Sequence, residues 1–171
     1  MNTPTCPGRP RAVEDTPRLA HMTQQTADLF TAIDHVGVAV SDLDAAITFY
    51  ADTYGMTLVH EEVNEEQGVR EAMMAVGASG SCMQLLAPLS PESTIARFLD
   101  RSGPGVQQVA YRVVDLDAVC ATLRERGLRL LYDVPRRGTA NSRVNFIHPK
   151  DAGGVLIELV QAGAPPPDPV E

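Results

Sequence analysis

The chain has 171 residues, of which 44% are hydrophobic and 21% charged, and it carries a formal net charge of −8. That length and apolar content suit one domain, or two fused half-domains sharing one core. The acidic balance, with no Lys/Arg run, excludes nucleic acid as an expected partner, and no stretch nears the roughly 18 apolar residues of a membrane span.

Residues 1–27 contain four prolines and mixed charges without periodicity, the composition of a disordered arm. Met22 offers a second start just before patterned sequence begins. No apolar stretch of the secretory kind occurs in this arm. Residues 33–40 alternate as a strand, with His35 among apolar neighbours. Ser41 or Asp42 caps a helix whose apolar positions Leu43, Ile47 and Tyr50 recur at helical spacing, and Gly55 closes it. Three strands follow, at 56–61, 68–76 and 81–87. Residues 91–101 read as a connecting helix, broken by Gly103-Pro104-Gly105.

The order then repeats. Residues 106–114 form a strand, Asp115 caps a helix through Arg126, and Gly127 ends it. Strands at 128–134, 142–148 and 154–160 complete the second half. The repeat is visible in the residues: Asp34-His-Val-Gly-Val-Ala-Val-Ser-Asp-Leu-Asp-Ala-Ala46 returns as Gln107-Gln-Val-Ala-Tyr-Arg-Val-Val-Asp-Leu-Asp-Ala-Val119. Internal repetition of this kind decides the fold. The expected class is α+β, with tandem β-α-β-β-β modules forming a curved, partly closed mixed sheet. Each module is too small to bury both faces alone. The domain spans 28–162, with module one at 33–88, the connecting helix at 91–102 and module two at 105–161. A Pro-rich tail at 163–171 is expected to be disordered.

Cys6, Cys82 and Cys120 are widely spaced and form no C-x-x-C pair. A disulfide framework or structural zinc site is therefore not expected, and a reducing cytoplasm fits. Cys82 and Cys120 read as small buried hydrophobes.

The repeat relates His35 to Gln108 on the first strands, and Gln84 to Glu158 on the last strands. Polar groups on an inward strand face are costly unless paired or metal-bound. A quartet related by internal symmetry is most economically explained by a divalent cation held by His35, Gln84, Gln108 and Glu158. Taken singly, each could equally be an exposed or hydrogen-bonded strand residue.

The β-α-β-β-β tandem with this quartet resembles the vicinal oxygen chelate (glyoxalase/bleomycin-resistance/dioxygenase) superfamily. The strings Ile33-Asp-His-Val36, Asn64-Glu-Glu-Gln-Gly-Val-Arg-Glu-Ala-Met73, Gln84-Leu-Leu-Ala-Pro88 and His148-Pro-Lys-Asp-Ala-Gly-Gly-Val-Leu-Ile-Glu158 resemble its methylmalonyl-CoA epimerase family most. The resemblance implies interconversion of (2R)- and (2S)-methylmalonyl-CoA through an enolate, with Glu71 and Glu158 as the two bases. Glu158 would also be a metal ligand. The family usually shows two histidines where this chain has Gln107 and Gln108. An amide oxygen in place of an imidazole shifts preference toward Mn²⁺, Mg²⁺ or Co²⁺ and away from Zn²⁺. Arg97, Arg136, Arg137, Arg143 and Lys150 are candidates for the phosphates of an acyl-CoA, while His60 and His148 read as structural or exposed. The resemblance also makes a homodimer the expected assembly. Two alternatives stay open: a lyase or isomerase of the same superfamily with another substrate, and a binding protein whose metal site has decayed through Gln108.

Overall fold

The computed structural model describes residues 29–163. The expected arm at 1–27 and the tail beyond Gly163 lie outside the described residues. Module one comprises β1 (Ala32–Ala39), α1 (Leu43–Tyr54), β2 (Thr57–Asn64), β3 (Val69–Ala75) and β4 (Cys82–Pro88). Helix α2 (Thr94–Ser102) leads into module two: β5 (Gly105–Arg112), α3 (Leu116–Glu125), β6 (Arg136–Arg137), β7 (Arg143–Ile147) and β8 (Leu156–Gln161). The strands form one mixed sheet in the order β2-β3-β4-β1-β5-β8-β7-β6. Each module pairs its first strand parallel to its last, and the modules join where β1 runs antiparallel to β5. A pseudo-twofold axis therefore passes between β1 and β5.

The two long helices start alike because their sequences start alike. Asp42 accepts from the Ala45 N–H and Asp115 from the Ala118 N–H, each at 3.0 Å. Each cap satisfies an otherwise orphaned amide and contributes about 1 kcal/mol. Gly55 ends α1 at φ 66°, in the left-handed region that glycine enters at no steric cost. Helix α1 covers one face of the sheet, packing Leu43 and Ile47 on Met74 and Leu85. Helix α3 covers the same face of module two, packing on Ile147 and Leu159.

The opposite, concave face belongs to the odd positions of β1 and the even positions of β5. In module one it is filled by Ile95, Phe98 and Leu99 of α2 against Ala39, Val69 and Leu86. In module two Tyr132 packs edge-on against Phe146, beside Val144 and Val160. The connecting helix begins at Thr94, with Ser93 as its cap, leaving Pro91 and Glu92 in a turn.

One expected strand is absent. Residues 128–134 make a single bridge, Leu130 to Ile147, and the paired strand is only Arg136–Arg137. Side chains take the place of a ladder there. Asn145, fully buried, accepts from the Tyr132 N–H at 3.2 Å and donates to the Tyr132 carbonyl at 2.9 Å. Arg124 donates to the carbonyls of Tyr132 and Asp133, each at 2.9 Å. With its backbone satisfied in this way, the segment folds across the concave face as an ordered loop.

The same loop curls the sheet. Arg136 donates to Glu66 at 3.0 Å, Gln67 donates to the Arg137 carbonyl at 3.3 Å, and the Ala140 N–H donates to Glu62 at 3.3 Å. These contacts tie the β2–β3 hairpin to module two and partly close the concave side.

Candidate active site

His35, Gln84, Gln108 and Glu158 converge on the concave face at the module junction, each at most 6% exposed. Strand register brings them together. Gly37 of β1 pairs with Gln108 across the antiparallel ladder and with Gln84 across the parallel one. Its repeat counterpart, Ala110 of β5, pairs with His35 and Glu158. Small residues thus sit beside both polar pairs and leave room between them. A β-carbon at Gly37 would lie 2.6 Å from Cγ of Gln108, so the glycine is required by that side chain.

The four side chains form one hydrogen-bonded chain. His35 Nε2 lies 3.0 Å from Glu158 Oε2, and Gln108 Nε2 donates to both Glu158 Oε2 and, at 3.2 Å, Gln84 Oε1. Gln84 Nε2 continues the chain by donating to Glu71 Oε2 at 2.7 Å. Glu71 is 1% exposed. Its other oxygen accepts from the Thr139 hydroxyl at 2.8 Å, and the same hydroxyl accepts from Gln84 Nε2 at 2.9 Å. Both carboxylates named from the sequence therefore belong to one continuous buried network, one on each side of the two amides.

Two participants were not foreseen. Asp34 Oδ1 lies 3.0 Å from His35 Nδ1, and Arg112 holds its other oxygen at 2.7 Å. Adjacent strand residues normally face opposite ways; a register shift between Ile33 and His35 permits this contact. Asp34 thereby orients the ring through Nδ1 and points Nε2 toward Glu158 and the centre. Thr139 is the other. It sits in a loop where Ala140 and Asn141 have φ of 52° and 59°, a conformation that costs free energy for non-glycine residues. An Asp beside a histidine was a readable signal for the first. Nothing in the local pattern marked the second.

The remaining candidates lie elsewhere. His148 accepts from the Lys150 N–H in a turn, and His60 pairs with Glu62 at 2.7 Å. Arg143 is held by both oxygens of Asp117. Arg136 lies against Glu66 and over the Tyr132 ring, 4.9 Å from its centroid. Arg97, Arg137 and Lys150 are exposed. Cys120 is buried and Cys82 half-buried.

Two grooves open on the network. One, of about 190 Å³, is bordered by Gln108, Leu86, Ile95, Tyr132, Phe146 and Leu156. The other, of about 340 Å³, is bordered by His35, Glu158, Thr139 and Met73. Glu71 lies behind Thr139 and Gln84 and borders neither.

Burial sets the charge states. It pushes Glu71 up to about 7, reinforced by the nearby Glu62 and Glu158 carboxylates and only partly offset by the Thr139 hydrogen bond. Burial also opposes protonation of His35, but the Asp34 and Glu158 carboxylates outweigh it and raise the imidazole to about 9. Asp34 is held below the usual carboxylate range: burial works against its ionised form, and His35 and Arg112 overcome it.

The donor set fits a hard divalent cation. Glu158 Oε2 lies 3.0 Å from His35 Nε2, and Gln108 Nε2 lies 3.2 Å from Gln84 Oε1, close to the edge of an octahedron with bonds of about 2.1 Å, while Gln108 and Glu158 are in closer contact. A half-turn of the Gln108 amide replaces its N–H₂ at the centre by Oε1, giving one nitrogen and three oxygen donors. Among the described residues no cluster of three His, Cys, Asp or Glu side chains suits a metal, so any ion here depends on the two amides. Replacing Gln108 by His is expected to raise divalent-ion affinity roughly tenfold, because imidazole is the stronger donor for Co²⁺ and Zn²⁺. Calorimetric titration of Q108H beside the wild type measures this, and unchanged affinity would remove Gln108 from the ligand set.

The duplicated module, its curled sheet and the buried polar quartet define a protein of the glyoxalase class. Residues 34–146 match the Glyoxalase/Bleomycin resistance protein/Dioxygenase superfamily. The structure is similar to a crystal structure of methylmalonyl-CoA epimerase from Mycobacterium tuberculosis, at 62% identity and a TM-score of 0.78, covering 80% of this chain and 91% of that one. It is also similar to a point variant of Streptomyces coelicolor methylmalonyl-CoA epimerase in complex with 2-nitronate-propionyl-CoA, at 49% identity and a TM-score of 0.77, covering 79% and 96%. The mitochondrial methylmalonyl-CoA epimerase of Mus musculus is 37% identical over 131 residues, covering 76% of this chain and 72% of its own. The chain belongs to the methylmalonyl-CoA epimerase family of that superfamily.

Proposed function

We propose that this protein interconverts (2R)- and (2S)-methylmalonyl-CoA by removing the C2 proton on one face and returning a proton on the other. The observation that carries this reading is the pair of buried carboxylates, Glu71 and Glu158, at opposite ends of the Gln84–Gln108 amide bridge. A single base would mostly return the proton to the face it came from. Two bases, one at each end of a bridge, can serve both faces of one carbon.

His35, Gln84, Gln108 and Glu158 would hold one divalent ion per subunit, with Co²⁺, Mn²⁺ or Mg²⁺ preferred over Zn²⁺. Such an ion supplies Lewis-acid stabilisation of the enolate oxygen that develops at the thioester. Asp34 fixes the His35 ring for that set. The groove bordered by His35, Glu158 and Thr139 suits the reacting end of the substrate, and the apolar groove beside Gln108, walled by Leu86, Ile95 and Phe146, suits the rest of the acyl-CoA ester. Thr139 donates to one oxygen of Glu71, and breaking that contact would free this oxygen to accept the C2 proton. Arg136, Arg137 and Arg143 border a separate surface groove; Arg137 is exposed, while Arg136 and Arg143 would exchange their Glu66 and Asp117 partners for the phosphates of coenzyme A. No helix among the described residues is long and apolar enough to cross a membrane. A cytoplasmic homodimer is the assembly and location proposed here.

The test is deuterium wash-in at C2 of methylmalonyl-CoA in D₂O, with Co²⁺, Mn²⁺ or Mg²⁺ added. Exchange with inversion supports the reading. No exchange with any of these ions would leave a binding protein or an enzyme for another substrate.

The charge state of Glu71 gives a pH signature. A general base acts as its anion, and Glu71 titrates at about 7. Its active fraction therefore falls as pH drops through neutrality. The expected kcat/KM declines about tenfold per pH unit on the acid side of that value. In the profile of the Glu71→Asp variant, the acid limb should move. A limb that stays in place would belong to another group.

A further inference from the structure

A two-base reaction leaves the enzyme out of register after each turnover. One base holds the proton that C2 lost, and the other has given its own away. Both must exchange with solvent before the same reaction can run again. Glu158 borders an open groove, but Glu71 is 1% exposed and is enclosed by Gln84 and Thr139. Its proton needs a route.

Strand β2 supplies one. Its alternation puts His60, Glu62 and Asn64 on one face of the sheet, the less exposed one. Glu62 pairs with Glu71 in the antiparallel register, which sets the two side chains next to each other on one face of the sheet. One oxygen of Glu62 is engaged, by His60 Nε2 at 2.7 Å and by the Ala140 N–H at 3.3 Å. The other is buried and has no hydrogen-bond partner. An orphaned buried acceptor is costly, and this one becomes satisfied when a single proton is shared with the neighbouring carboxyl group. Exposure then rises outward along the three groups: 1% for Glu71, 16% for the Glu62 side chain and 36% for the His60 side chain.

We propose that Glu62 and His60 form a proton relay that returns Glu71 to its basic state between turnovers. This rests on the assignment of Glu71 as a base. The proton taken from C2 passes from the Glu71 carboxyl to Glu62, and from Glu62 to the Nε2 of His60. It leaves from the imidazole to water or buffer, so no charge accumulates in the sheet. Burial opposes the ionised form of Glu62, but the His60 contact, the Ala140 amide and Arg137 outweigh it in the resting state. Neither relay residue reaches the reacting carbon; both act through Glu71.

The reset step of the free enzyme limits turnover at saturating substrate and leaves kcat/KM untouched. Removing a relay group should therefore lower kcat and KM together. The experiment uses full-length protein loaded with Mn²⁺ and follows epimerisation of methylmalonyl-CoA over a range of substrate concentrations. For Glu62→Gln and for His60→Ala, kcat is expected to fall roughly tenfold with kcat/KM within about twofold of wild type. Added imidazole should restore kcat in His60→Ala, where it can occupy the vacated surface position. The conservative His60→Gln variant, which keeps a side chain of similar reach, should resemble His60→Ala in kinetics and wild type in melting temperature. Unchanged kcat in both relay variants would overturn the proposal. So would equal loss of kcat and kcat/KM without imidazole rescue, which marks a structural role. Absence of C2 exchange in the wild type would instead overturn the epimerase reading itself.

Discussion

Replacing Glu71 by Gln is expected to remove epimerisation, yet leave metal binding intact and make the protein more stable above neutral pH. A positioned general base supplies about 10²–10⁴-fold, so kcat should fall by a factor in that range. The amide oxygen of the new residue can still accept from Gln84, so the ring around the ion persists. The stability gain follows from linkage. The folded protein raises the Glu71 carboxyl from 4.5 to about 7, so the native state binds the proton more tightly than the unfolded chain. That contribution is present below the unfolded value and is lost as pH rises through the folded one. A neutral amide avoids the loss, for a gain on the order of 1–3 kcal/mol above pH 7. Thermal melts of E71Q and wild type across this range measure it, alongside Mn²⁺ titration. Coupled loss of activity and metal affinity would show that Glu71 is a ligand rather than a base.

Glu158→Ala should be the more damaging change, because the proposed function gives this one carboxylate two tasks. Its Oε2 joins His35 Nε2 and Gln108 Nε2. Truncation leaves both without their common partner in a site that is nearly dry. Divalent-ion affinity is expected to drop about 100-fold or more, and epimerisation should be lost by at least about 10⁴-fold, from the base and the enolate stabilisation together. Glu158→Gln separates the tasks: it keeps an oxygen donor and loses the base. Its affinity should lie between those of wild type and the alanine variant, with activity absent. A Glu158→Ala protein that binds Mn²⁺ as tightly as wild type would take Glu158 out of the ligand set.

The features legible in the sequence were those with local or symmetric signatures. Asp42 and Asp115 cap helices as their spacing implied, and Gly55 takes the left-handed turn expected of it. The convergence of His35, Gln84, Gln108 and Glu158 was readable because duplication converts a short-range pattern into a statement about distant residues. The strand expected at 128–134 failed where long-range side chains intervened: Asn145 and Arg124 capture backbone groups that a ladder would have used. Thr139 and Glu62 were illegible for the same kind of reason. Their partners lie across the curled sheet or on a neighbouring strand, and neither has a counterpart in the other half of the repeat.

The β1–β5 junction makes neither half of the chain chemically competent alone. His35, Glu71 and Gln84 come from the first copy, and Gln108, Thr139 and Glu158 from the second. An ion held by the proposed set of His35, Gln84, Gln108 and Glu158 would act as a rivet through the seam, gripping both copies at once. Its binding free energy then opposes parting of the halves, because a separated half offers only two of the four donors. A domain doubled in this way carries its reactivity in a joint, and loosening the joint would silence the chemistry before either half unfolds.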